Sequence, residues 1–200
     1  MKQQARLFLV AAALISAAGL SGCDAISAYF RAQKAAVKWD GPIEEIASAD
    51  ITKDGKVFTI SMVSRIDAPP DKVWEAMKHP EMLSKNSEQY KKSDILKDEG
   101  AHKELELHVM ALDNLQQLTV AMDFDDASKT LKIKTLTSTI ADIDGSYTLT
   151  PSPDGTKTLY NYNAKQTDKV ALPISEDVQR SAIKEAFVNQ VRAIKKQIGG

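Results

Sequence analysis

Two hundred residues, 43% of them hydrophobic and 26% charged, describe an ordinary globular chain and exclude one too polar to fold. A formal charge of −1 carries none of the basic footprint that nucleic-acid binding leaves, so no nucleic-acid partner is expected. The single cysteine excludes an internal disulfide.

The first six residues include Lys2 and Arg6, and an apolar run follows from Leu7 to about Ala18. This is the layout of a secretory signal, and the run is short for a bilayer span. It closes in Leu20-Ser21-Gly22-Cys23, which resembles the lipobox of bacterial lipoproteins. The resemblance implies that residues 1–22 are removed and that Cys23 is lipidated on its thiol and its new amino group. Two acyl attachments are what stable anchoring requires, so a membrane is the expected partner. The competing account is an ordinary signal followed by a buried free thiol. That the only cysteine stands at the lipobox position weighs against it. Asp24 resembles the retention signal of enteric lipoproteins, which implies the periplasmic face of the inner membrane in a bacterial envelope. Loss of Lys2 and Arg6 leaves 24 basic against 27 acidic side chains, a formal −3.

Residues 23–42 read as a membrane-proximal tether. Ile26, Tyr29, Phe30, Gln33 and Val37 fall near one helical face, with Arg31, Lys34 and Lys38 elsewhere. That pattern suits an amphipathic helix on a membrane surface, and equally a tether that packs on its own domain. Asp40-Gly41-Pro42 ends the segment.

Residues 43–200 form the folded domain. Ile43–Thr52 fits no single pattern, and Asp54-Gly55 suits a hairpin turn. Lys56–Ile66 is a strand with Phe58, Ile60, Met62 and Ile66 on one side. The proline pair Pro69-Pro70 opens a short helix whose apolar face is Val73, Trp74 and Met77, and Pro80 closes it before a second short turn at Glu81–Lys85. Six strands follow: Tyr90–Lys97, Glu104–Leu112, Leu118–Phe124, Leu131–Ile140, Ile143–Thr150 and Thr158–Lys165. Their connections are too short for parallel crossovers, so the seven strands are antiparallel. Apolar and charged residues alternate along them, which means one covered face and one wet face. Pro173–Gly200 supplies the cover. Ser175 is its N-cap, Glu176 and Asp177 suit the positive end of the dipole, and Ile183, Phe187, Val191, Ile194 and Ile198 share one face up to the stop at Gly199.

This order of elements resembles the START-like, or polyketide cyclase/dehydrase (SRPBCC), superfamily. The likeness is carried by Ile66-Asp67-Ala68-Pro69-Pro70-Asp71-Lys72-Val73-Trp74, an apolar-x-Ala-x-x-x-x-Val-Trp run. The late strand pair Gly145–Thr150 and Gly155–Leu159 and the final helix carry it too. It spans Lys56–Ile198 and implies an α+β helix-grip fold. In that fold a curved antiparallel sheet of about seven strands surrounds a long C-terminal helix, with two short helices after the first strand.

The chain offers little chemistry. His79, His102 and His108 lack the spacing of a zinc site, and His108 shares the wet face of its strand with Glu106. Asp142-Ile143-Asp144-Gly145 fails as a calcium loop because Tyr147 stands at the glycine position and Pro153 at the final carboxylate. The acidic run Asp123–Asp126 reads as a turn. No nucleophile elbow, P-loop or dinucleotide fingerprint occurs, so no catalytic residue, metal or cofactor is predicted.

What remains is a space between sheet and helix suited to an apolar ligand. Met62, Val120, Met122, Phe124, Tyr147, Leu149, Tyr160, Tyr162, Ile183, Phe187, Gln190 and Val191 are the inward candidates. Each can instead be plain core. Gln190 is the distinctive one, an amide inside an apolar stripe that must find a partner in a ligand, a water or a strand tyrosine. The expected function is a lipid-anchored protein holding a hydrophobic small molecule such as a lipid, quinone or isoprenoid. An envelope assembly protein with a filled core and a protein partner is the first alternative. An enzyme of the cyclase/dehydrase or hydrolase kind is the second.

Overall fold

The computed structural model describes residue 39 and residues 45–111 and 114–199, within a folded unit spanning Val37–Gly200. Cys23, Asp24, the signal and the tether up to Lys38 lie outside the described residues. The described strands are β1 (Ser48–Asp54), β2 (Val57–Ile66), β3 (Tyr90–Asp98), β4 (His102–Ala111), β5 (Asn114–Asp125), β6 (Thr130–Ser138), β7 (Ala141–Pro151) and β8 (Thr158–Asp168). Helix α1 (Pro70–Met77), a tight turn at Pro80–Met82 and helix α2 (Leu83–Asn86) lie between β2 and β3, and α3 (Glu176–Gln197) closes the chain.

The strands make one antiparallel sheet in the order β1-β2-β8-β7-β6-β5-β4-β3. The chain crosses from β2 to the far edge through α1 and α2, then returns by successive hairpins until β8 pairs with β2. Register shifts in the β3–β4 and β5–β6 ladders add the local bends that curve such a sheet. Eight strands stand where seven are expected from sequence. The additional one, β1, comes from the segment that fits no pattern. It is an edge strand paired only with β2, and Ile51 is its one apolar residue packed against the core. Without a covered face it has no alternation to read.

Helix α3 follows its sequence signals closely. Ser175 Oγ accepts from the Val178 amide, and Gly199, at φ +83°, turns the chain after the last turn. Its 22 residues make a rod of about 33 Å. Phe187, Val191 and Ile194 bury against the sheet, while Arg180 binds Glu176 at 3.0 Å and donates to the Ile51 carbonyl at 3.2 Å, tying the first turns to β1. On β7, a Cβ at Gly145 would lie 2.6 Å from Ala164 Cβ and 2.8 Å from the Asn163 carbonyl oxygen. Only glycine permits that approach of β7 to β8. Two pairs further along, it sets Tyr147 opposite Tyr162.

Candidate functional site

Three tyrosines from the two central strands form the floor beneath α3. Tyr147 and Tyr162 stack with centroids 4.5 Å apart and 18° between planes, and Tyr160 leans on Tyr147 at 5.2 Å. Phe187 of α3 lies over both β8 rings, at 5.8 Å from Tyr160 and 6.2 Å from Tyr162. Tyr147 Oη donates to Gln190 Oε1 at 2.9 Å. The amide in the apolar stripe thus finds a strand tyrosine, one of the three partners open to it from sequence.

Two spaces flank the contact between α2 and α3. The larger is an open cleft of about 700 Å³, within the size range of small-molecule sites. Its walls are Asn86 and the 87–91 segment on one side, Met110 and Ala111 of the β4 end on another, and Glu185, Asn189 and Arg192 of α3 on the third. The smaller space is a narrow, partly open void of about 20 Å³, room for one water. Leu83, Met77, Met122, Tyr160, Gln190 and Ile194 are among the residues around it. Helix α2 divides the two spaces: Leu83 faces the void, Asn86 the cleft, and on α3 the adjacent Gln190 and Asn189 do the same. This partition is slight. Helix α2 has four residues, none fully buried, and Asn86 Nδ2 and Gln89 Oε1 beside it have no hydrogen-bond partner.

Of the inward residues expected from sequence, Tyr160, Met122 and Gln190 come together around the void. Met62, Val120, Phe124, Tyr147, Leu149, Tyr162, Phe187 and Val191 are buried in the core, and Ile183 packs half-buried against it. None of these nine lines either space. The cleft residues Asn86, Asn189 and Arg192 escape a sequence reading because their polarity is that of any helix surface.

Burial raises the hydroxyl pKa of Tyr147, Tyr160 and Tyr162 well above the ordinary phenol value and pushes Tyr90 up to about 12. All four stay protonated through the physiological range and are available as hydrogen-bond donors rather than bases. The Tyr160 hydroxyl has no partner although its residue is 0% exposed. An unmet buried hydroxyl costs about 1–3 kcal/mol. No carboxylate, lysine or arginine lines the void. The three histidines face carboxylates within hydrogen-bond distance: His79 with Glu81 at 3.0 Å, His102 with Asp123 at 2.7 Å, and His108 with Glu106 at 2.8 Å. The arrangement offers apolar contact and neutral hydrogen-bond donors.

A family model described as polyketide cyclase/dehydrase and lipid transport matches residues 57–199. Among curated proteins no sequence matches the chain. Similar solved structures include the Zhui aromatase/cyclase from Streptomyces sp. R1128, 17% identical, with a TM-score of 0.64 over 71% of this chain and 93% of that one. A START superfamily protein from Mycobacterium smegmatis is 13% identical with a TM-score of 0.58, over 70% of this chain and 96% of that one. A STAR-related lipid transfer protein from Xanthomonas axonopodis is 13% identical with a TM-score of 0.54, over 76% and 99%. At these identities the likeness establishes a START-like helix-grip fold and leaves the ligand to be argued from the site.

Proposed function

This chain belongs to the polyketide cyclase/dehydrase and lipid-transport family, and from that premise we propose that its domain binds a hydrophobic small molecule between the sheet and α3. The observation that carries this reading is the cleft of ligand size separated from a smaller void by one weakly held helical turn. Shifting α2 joins the two spaces, and Met77, Met122 and Leu83 around the void are side chains that re-pack easily. An element with little buried surface opens at low free-energy cost, as binding-site lids do. The family description and the nature of the similar proteins, a cyclase and a lipid transfer protein among them, support an apolar cargo of lipid, quinone or isoprenoid type.

The domain is held at a bacterial membrane by acyl chains on Cys23, with Asp24 keeping it on the periplasmic face of the inner membrane. The lipobox-like Leu20-Ser21-Gly22-Cys23 supports this. On the cleft rim Glu45 pairs with Arg192, at 2.6 Å to Nε and 2.5 Å to Nη2.

Asn189→Trp tests the route. The bulky ring fills the cleft without touching the core, so uptake of N-phenylnaphthylamine, followed by its fluorescence, slows several-fold while circular dichroism and Tm stay unchanged. An unaltered uptake rate would rule out the cleft as the way in.

A further inference from the structure

Resting on that ligand-binding reading, we infer that the Tyr160 hydroxyl and the Gln190 amide form a recognition site for a neutral carbonyl oxygen at the inner end of an otherwise apolar ligand. The Tyr160 side chain is fully buried, lines the void and has no hydrogen-bond partner for its hydroxyl. Gln190 meets it there from α3. Because Gln190 Oε1 already accepts from Tyr147, its amino group is left to donate, and no described residue takes it. The Gln197 amide at the same void is committed elsewhere, donating to the Ala76 carbonyl. Two unengaged donors therefore meet at one space, and the complement of two donors is an oxygen with two lone pairs.

Size and charge narrow the class. A void of about 20 Å³ admits one oxygen atom and no headgroup. The one titratable side chain among those lining the void other than Tyr160 is His79, which is engaged with Glu81 at 3.0 Å, so a carboxylate or phosphate would enter without a lysine or arginine to meet its charge, and an uncompensated ion is expelled from such surroundings. A pure hydrocarbon would leave both donors unmet. A ketone, quinone or ester carbonyl satisfies both, with its apolar body lying toward Leu83 and Met77 and out past α2 into the cleft.

The test uses full-length protein and displacement of N-phenylnaphthylamine by methyl nonyl ketone and by undecane, which differ essentially in the oxygen. The wild type binds the ketone about fivefold tighter or more, the worth of one hydrogen bond. Tyr160→Phe removes that preference, leaves undecane affinity unchanged and holds or raises Tm, because it deletes an unmatched buried hydroxyl. Gln190→Met, at a half-buried position, loses the same preference. Equal binding of ketone and undecane by the wild type overturns the carbonyl site while the ligand-binding reading stands. Displacement by neither overturns that reading itself. A Tyr160→Phe protein that melts lower and binds both probes more weakly overturns the assignment, because the hydroxyl then serves the fold.

Discussion

Trp74→Ala lowers the unfolding free energy by about 3–5 kcal/mol, the range for truncating a large aromatic residue in a core. Trp74 is 0% exposed and carries more of the fold than its place in an eight-residue helix suggests. Its ring meets Phe124 of β5 edge-on at 5.8 Å, which fixes α1 against the sheet. Its Nε1 donates at 2.5 Å to Asp126, beyond the end of β5, and Lys78 reaches the same carboxylate at 2.7 Å. Lys129 completes the clasp, with Nζ 5.9 Å from the Trp74 ring centre and 3.0 Å from Asp71. The substitution thus removes the packing that positions the roof of the void and leaves Asp126 with the lysine alone. Urea unfolding followed by far-ultraviolet circular dichroism measures it, read at unchanged m-value. Domains of this size have only about 5–15 kcal/mol in hand, so the variant is expected to melt far below the wild type. A loss under about 1 kcal/mol would mean that α1 is not docked as described.

Asp168→Ala has a comparable effect for a different reason. Lys53 on the edge strand β1 extends across Phe58 of β2, its ammonium 4.5 Å from the ring centre, to reach Asp168 at the end of β8 at 3.2 Å. It also donates to Gln179 Oε1 at 3.0 Å, and the Gln179 amide in turn donates to the Ile174 carbonyl at 3.2 Å. The two charged side chains are 11% and 9% exposed. One buried cluster therefore joins the sheet edge, a central strand and the first turn of α3. Removing the carboxylate strands the ammonium away from water, and a buried charge deprived of its partner costs about 3–5 kcal/mol. Changing both residues to apolar ones, Lys53→Met with Asp168→Leu, restores most of that loss, because no lone charge remains. A denaturant series on the single and double variants distinguishes the two cases. A double variant as unstable as Asp168→Ala alone would show that the pair contributes more than neutralisation.

The strands from Val57 onward and α3 were legible because each has one wet and one dry face, and residues such as Leu105, Leu107 and Phe187 mark the dry one. Strand β1 was not, since an edge strand with a single packed apolar residue has no pattern to show. The Lys53–Asp168–Gln179 cluster joins residues more than a hundred positions apart, and each of them alone reads as solvated surface. Gln190 was legible as an anomaly, but its bond to Tyr147 depends on the β7–β8 register that Gly145 permits. The extent of the internal space was not legible at all. Met62, Val120 and Tyr162 would look the same in a lined cavity and in a filled core, and packing alone decides that they are core.

The central claim is that an apolar cargo occupies the space between sheet and α3, and native mass spectrometry with solvent extraction tests it most directly. Full-length protein purified gently from its own host is expected to carry close to one equivalent of a neutral, carbonyl-bearing lipid or isoprenoid, which the extract identifies. Protein that is consistently empty, with no apolar species above trace, would contradict the account.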